Sequence, residues 1–341
     1  MLKAALCAAL LLLSGASNQA SQSAVRIFRG TIGNQPVEMK LRREGDDLSG
    51  TYAYDRIGQS LTLKGRISPS GDLALQEFDS QGKQTGKFAC RLSQAADLES
   101  TILITGKWSR PDGSKETLVD LTEQPIEFTN GLQVVTKIIT GRRPSISAIY
   151  PQLVGGSNPA LNKFNLRVAG LVSKAVNEFK RGEPVPDRSD YSTNFKILLA
   201  TNDYLSIEIN EYSYYGGPYP NSNYYALTYD LRSGKELRLD ELFKPGSNYR
   251  QAIQKYALAE INKQEKEALK EAPPAERNAG SFFSAEEVKD WRAWAMTRKG
   301  IVVYFDFPHV VAAFDRVFIP YRALEAFINP QGPAALVSSE K

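Results

Sequence analysis

Between Val25 and Leu121 the chain divides into eight short runs of alternating apolar and polar residues, with no helical pattern between them. They are Val25 to Thr31, Val37 to Leu41, Leu48 to Tyr54, Leu61 to Ile67, Leu73 to Phe78, Gly86 to Leu92, Ile102 to Trp108 and Thr117 to Leu121. Side chains of a strand point to alternate faces, so a period of two marks a strand with one face buried. Gly33-Asn34, Gly45-Asp46-Asp47, Ser70-Gly71-Asp72, Ser80-Gln81-Gly82 and Asp112-Gly113 supply turns. This succession predicts an all-β, barrel-like meander domain over residues 25–122, with a sandwich as the alternative closure. Leu48-Ser49-Gly50-Thr51-Tyr52, Leu63-Lys64-Gly65-Arg66-Ile67 and Ile104-Thr105-Gly106-Lys107-Trp108 share the form aliphatic-x-Gly-x-bulky. A glycine in mid-strand permits a bend or a close backbone approach, which a closing sheet needs. Eight strands enclose room for side chains or for one small ligand. We expect a filled interior with Tyr52, Tyr54 and Trp108 in the core; a small-ligand carrier is the alternative.

Gln124-Pro125 marks a boundary, and the pattern then changes. Leu132 to Ile139 and Ile146 to Tyr150 read as strands. Asn158 is placed to cap a helix that Pro159 opens. Its Leu161, Phe164, Val168, Leu171, Ala175 and Phe179 recur at steps of three and four, and Gly182 and Pro184 end it. Asn194 to Ala200, Leu205 to Tyr212, Tyr224 to Asp230 and Glu236 to Leu239 read as strands. Leu205, Ile207 and Ile209 alternate with Ser206, Glu208 and Asn210, the pattern of a sheet with helices on one face. A second long helix begins near Ser247, runs toward Glu271 and meets Pro273-Pro274. A hairpin over Trp291 to Thr297 and Ile301 to Phe307, a strand over Phe314 to Pro320 and a helix over Tyr321 to Ile328 follow. The class is therefore α+β: a β-domain over 25–122, then a mixed domain over 130–328 with helices packed on an antiparallel-rich sheet. Residues 329–341 read as a mobile tail.

The first residues have the form of a secretory signal. Lys3 precedes an apolar core from Ala4 to Leu13, and Ser14-Gly15-Ala16 places small residues before a cut. Residues 1–16 are thus expected to be a signal peptide and 17–24 a linker. A membrane-crossing helix needs about 20 apolar residues, which neither this run nor a later one supplies. The expected location is periplasmic or secreted, with no transmembrane segment. Cys7 lies inside the apolar core rather than at its end, which argues against a lipid anchor. Cleavage would leave Cys90 alone, with no disulfide partner, and we expect it buried and inert. One His and two Cys are too few for a zinc site built from several such ligands, and no cofactor is expected. A net charge of 42 − 38 = +4 is far from the basic stripe of a nucleic-acid binder.

Four motifs then occur in order: Tyr212-Ser213-Tyr214-Tyr215-Gly216-Gly217-Pro218-Tyr219-Pro220-Asn221, the run Tyr229 to Phe243, Lys299-Gly300-Ile301-Val302-Val303-Tyr304-Phe305, and Val317-Phe318-Ile319-Pro320-Tyr321. Together they resemble the C-terminal domain of the RsiV family, found also in PdaC-type bacterial cell-envelope proteins. The region from Thr136 to Lys180 is similar to the smaller domain that precedes it. The resemblance implies an extracytoplasmic domain of unknown function. In RsiV-type proteins that domain is a lysozyme-binding sensor; in PdaC-type proteins it accompanies a separate deacetylase domain. This chain departs from the pattern. Many members carry Gly-Gly-Ala-His where it has Gly216-Gly217-Pro218-Tyr219, and it shows neither a cytoplasmic anti-sigma segment nor a deacetylase domain.

Seven of the chain's 16 tyrosines, at 212, 214, 215, 219, 224, 225 and 229, fall within 18 residues, and Gly216-Gly217-Pro218 and Pro220-Asn221 break them into a loop between strands. Tyrosine gives a rigid amphipathic surface suited to protein interfaces and to stacking on sugars. Tyr214, Tyr215, Gly216, Gly217, Tyr219 and Asn221 are therefore the candidate binding residues, for peptidoglycan or a muramidase of the lysozyme type. Alternate tyrosines packing into the sheet is the competing reading. The mild basicity argues against a lysozyme, since such proteins are often basic themselves. Glu208, Glu211, Asp306 and Asp315 could pair for glycan hydrolysis, which needs two carboxyls at a set distance. His309 has no nucleophile motif beside it and reads as structural or exposed. The expected function is non-enzymatic binding at the cell envelope, with a carboxylate-based glycan hydrolase as the rival.

Overall fold

The computed structural model describes residues 25–95, 101–156, 158–270 and 281–339. The signal and linker expected over 1–24 and Pro273-Pro274 lie outside the described residues, as does the side chain of His309.

Each of the eight alternating runs is a strand: β1 Arg26–Ile32, β2 Gln35–Glu44, β3 Asp47–Tyr54, β4 Ser60–Ile67, β5 Asp72–Phe78, β6 Gln84–Gln94, β7 Ile102–Ser109 and β8 Thr117–Gln124. Each pairs antiparallel with its neighbour, and β8 returns to pair with β1 from Ile27↔Gln124 to Ile32↔Val119, closing a barrel. The alternation is what fills it. Phe28, Met39, Tyr52, Leu63, Leu75, Phe88, Ile104 and Leu121 project inward and are buried. The repeated glycines are a steric requirement. A Cβ on Gly65 would lie 1.9 Å from the Ala74 carbonyl oxygen, and one on Gly50 2.0 Å from that of Lys40. Neighbouring backbone occupies the space a side chain would need.

The second part has four layers. Its main sheet has the order β14-β13-β12-β11-β10-β9, formed by β9 Gln133–Arg142, β10 Ser145–Val154, β11 Asp190–Ala200, β12 Tyr204–Tyr214, β13 Asn221–Asp230 and β14 Lys235–Glu236. The strand expected over Glu236 to Leu239 shortens because a 3-10 turn begins at Leu239. β10 and β11 are parallel, and helix α1, Pro159–Arg181, makes the crossover between them. Asn158 caps α1 by accepting the Ala160 N–H at 2.9 Å, and its amide donates to the Leu231 carbonyl at 2.9 Å. Leu161, Phe164, Val168, Val172 and Phe179 bury the helix against Ile197, Leu205, Ile207 and Ile209.

A three-stranded antiparallel sheet, β15 Ala293–Met296, β16 Gly300–Tyr304 and β17 Arg316–Pro320, covers the other face. Alternation along β16 divides it. Val302 and Tyr304 meet the main sheet at Leu198, Tyr224 and Ala226, while Ile301 and Val303 meet Ile253, Ala257 and Ile261 of helix α2, Tyr249–Leu269. The chain beyond Asn329, which reads as a mobile tail in the sequence, carries a helix over Pro333–Ser339 that buries Ala334 and Val337. No helix among the described residues is long and apolar enough to cross a membrane.

The barrel joins the main sheet where Pro125 and Glu127 hydrogen-bond to both sides of Ala200. A β-bulge in β11 between Ile197 and Leu199 leaves the Ile197 N–H to the Gln124 side chain at 2.8 Å. Arg29, on the outer face of β1, stacks on Phe195 at 4.1 Å and donates to Thr136 at 2.8 Å.

Candidate binding site at the tyrosine hairpin

β12 and β13 form a hairpin, and residues 215–220 are its tip. The six candidate residues are therefore adjacent, but their surroundings differ. Tyr219 is 71% exposed. Gly217 and Asn221 are exposed, and Gly216 is exposed with φ +87°, a backbone state that a side chain would strain. Tyr214 is half-buried at the end of β12, opposite Asp190. Tyr215 turns back toward α1 and packs on Phe179 with ring centroids 4.9 Å apart. It lies over Gly182, where a Cβ would come within 2.6 Å of its ring. Burial, then Glu211 and Glu178, push its hydroxyl above the usual range. Tyr215 thus anchors the hairpin, while Tyr219 is presented to solvent.

The remaining tyrosines obey the strand period. Tyr225 and Tyr229 face α1, with Tyr229 against Phe164 at 5.6 Å, whereas Tyr224 faces the second sheet and Tyr304 at 5.4 Å. Beyond Tyr225 the outer edge of β13 is open. Among the described strands only β14 pairs with it, at Tyr229 and Asp230. A groove of about 250 Å³ follows this edge between α1 and β15. Its walls include Tyr225, Trp294, Arg167 and Arg292. The Arg292 guanidinium lies 5.9 Å from the Tyr225 ring centroid and donates to Asn223. The Tyr225 hydroxyl donates to Glu211 at 2.8 Å, and Arg167 pairs with Glu236 at 3.0 Å. Aromatic faces, charged hydrogen-bonding groups and open strand backbone are thus gathered at one edge. Such a surface can stack a sugar ring or add an extended strand. Sequence reasoning reached Tyr225 but not Arg167, Arg292 or Trp294, which come from separate elements with no shared motif.

The candidate acids are separated by the sheet. Glu211 lies with Leu205, Ile207 and Ile209 on the α1 side; Glu208 points to the second sheet. Glu208 is 3% exposed, and its Oε2 accepts the Tyr304 hydroxyl at 2.5 Å and the Arg316 Nε–H at 2.9 Å. Burial works against its charge, but Arg316, Lys196 and the Tyr304 hydroxyl outweigh it and hold the carboxyl below the usual range. Asp315 behaves oppositely: burial, then Glu208, push it up to about 6. Asp306 is exposed and lies 3.7 Å from Arg292. A further buried carboxylate, Glu77 in the barrel, accepts from Tyr52 at 2.5 Å, Trp108 at 2.7 Å and Thr85 at 2.6 Å. Among the described residues no group of three or more His, Cys, Asp or Glu is placed to hold a metal ion.

A family model described as a protein of unknown function, DUF3298, matches residues 240–315, a stretch that includes Arg292 and Trp294. The chain is 22% identical over 201 residues to the peptidoglycan-N-acetylmuramic acid deacetylase PdaC of Bacillus subtilis (strain 168), covering 59% of this chain. It spans 41% of that relative's length. Solved structures with some likeness include a DUF3298 family member from Bacteroides fragilis NCTC 9343, with TM-score 0.41 and 16% identity over 62% of this chain and 97% of that one. A DUF3298 family protein from Pseudomonas aeruginosa PAO1 has TM-score 0.40 and 16% identity over 61% of this chain and 96% of that one.

Proposed function

We propose that this chain is an exported, non-enzymatic binding protein of the bacterial cell envelope, and that its ligand is peptidoglycan. The observation that carries this reading is the groove along β13, which sets Tyr225 and Trp294 beside Arg167 and Arg292, on the same hairpin whose tip exposes Tyr219. The relative PdaC, whose name places its action on peptidoglycan, supports the ligand class. A lysozyme-like protein is the partner that the RsiV-type resemblance suggests for the same edge. The test is co-sedimentation of purified chain with insoluble peptidoglycan, alongside a pull-down with a muramidase. Tyr219→Ala with Arg292→Ala should weaken peptidoglycan capture by about tenfold or more. Both side chains are solvent-accessible, so the fold should survive. Unchanged capture would remove the hairpin and groove from the reading; capture of the muramidase alone would replace the ligand.

Asp315 and Glu208 favour a second reading, carboxylate-based glycan hydrolysis. One carboxyl is raised and its neighbour lowered, the divergence that separates an acid from a base. Against it, Glu208 is covered by Tyr304 and Arg316, which suits a strut between two sheets better than a group that meets substrate. Release of reducing ends from glycan, lost on Asp315→Asn, would support hydrolysis.

A further inference from the structure

A second concavity lies where the barrel meets the main sheet, away from the tyrosine groove, with a volume of about 470 Å³. That lies within the range of ordinary small-molecule sites, roughly 300 to 1,000 Å³. Leu103 of the barrel and Leu198 of β11 give it apolar walls, and both are only half-buried. Its rim is cationic: Lys196 from β11, Arg298 and Lys299 from the β15–β16 turn, and Arg316 from β17. Two carboxylates, Glu123 and Glu127, share the lining. Glu123 is held by Arg26 through contacts of 2.5 and 2.7 Å, and Glu127 by Arg298. Arg316 is matched by Glu208 behind it. Lys196 also acts on Glu208 through space, but neither it nor Lys299 makes an ion pair among the described residues. Two ammonium groups therefore stand at the mouth of a partly apolar cleft.

We propose that this junction cleft binds a small amphipathic organic anion, with its acidic head on Lys196 and Lys299 and its apolar body against Leu103 and Leu198. The charge pattern selects the head, because cations set on low-dielectric walls concentrate anions. The concave shape selects a free molecule over a lipid surface, since barrel, sheet and hairpin turn all border the space. The bound molecule touches both halves of the protein, so binding also ties the barrel to the mixed domain and stabilises their junction by mass action. This inference is independent of the reading of the tyrosine groove.

The test uses the full chain, with anilinonaphthalene sulfonate as fluorescent probe and dodecanoate as competitor. Dodecanoate should displace the probe at one site, and its affinity should fall as salt rises. Dodecanol, which has the same body without the charge, should compete at least about tenfold more weakly. Lys196→Gln with Lys299→Gln, both exposed positions, should weaken dodecanoate by about tenfold or more while circular dichroism is unchanged. Equal competition by dodecanol, an unaffected double variant, or no displacement would overturn the proposal. Co-sedimentation with phosphatidylglycerol vesicles that dodecanoate does not prevent would overturn its small-molecule form.

Discussion

Arg29→Ala should loosen the barrel from the mixed domain and should do so in a pH-dependent way. The Arg29 side chain is 4% exposed and Asp55, which it meets at 2.6 Å, is 3% exposed. Glu38 lies 3.3 Å away, Thr136 accepts a hydrogen bond, and the guanidinium covers Phe195. Removing one partner of a buried pair costs about 3–5 kcal/mol, because the other charge is left without compensation. A second bound comes from protonation. Burial already outweighs Arg29 and holds the Asp55 carboxyl above its ordinary value. Without Arg29 it can take up a proton, and between an unfolded pKa near 4 and pH 7 this costs at most ~4 kcal/mol, at ~1.4 kcal/mol per unit. Both routes give about 3–4 kcal/mol at pH 7. The sign follows from the direction of the shift. A carboxyl raised in the folded state contributes stability below its unfolded pKa and loses it as pH rises through the folded value. The deficit of Arg29→Ala against the unaltered chain should therefore be small near pH 4 and largest at neutrality. Urea unfolding at several pH values measures it, and a cycle with Asp55→Asn isolates the pair. A loss below about 1 kcal/mol at pH 7, or one independent of pH, would refute the clamp.

Two further outcomes follow from buried groups. Asp315, raised to about 6, adds stability when protonated, so its contribution is present below about pH 4 and lost as pH climbs through about 6. Asp315→Asn should flatten that part of the stability curve and gain roughly 1 kcal/mol at pH 7, allowing for its half-exposed position; a steeper curve in urea unfolding would contradict this. Burial pushes the Cys90 thiol up to about 11, and the thiol faces the barrel core. At pH 8 it should resist alkylation in the native chain and react as denaturant unfolds the barrel. Rapid native-state labelling, followed by mass spectrometry, would show instead that the barrel opens locally.

The tyrosine cluster shows how far a site can be read from a chain. A loop was legible, because Gly216-Gly217-Pro218 cannot continue a strand and tyrosines flank it. The division of labour inside it was not. Tyr215 and Tyr219 are chemically identical, yet one packs on Phe179 and the other meets water. That difference depends on α1, whose Phe179 lies 36 residues before Tyr215. Glu208 and Glu211 show the reverse. Their opposite parity on one strand already places them on opposite faces, so period alone opposes their pairing.

Features set by neighbours a few residues apart were determined by the sequence itself. They include the eight strands and their turns, the cap and apolar face of α1, and the α+β order of the chain. Each depends on local backbone preference and on a side-chain period of two or 3.6 residues. Tertiary structure decided what local rules leave open. It closed β8 onto β1 as a barrel rather than a sandwich, made β10 and β11 parallel, and placed Arg292 and Trp294 beside Tyr225. These choices depend on which apolar faces bury one another across long separations, and alternation alone carries no information about the partner that covers a face.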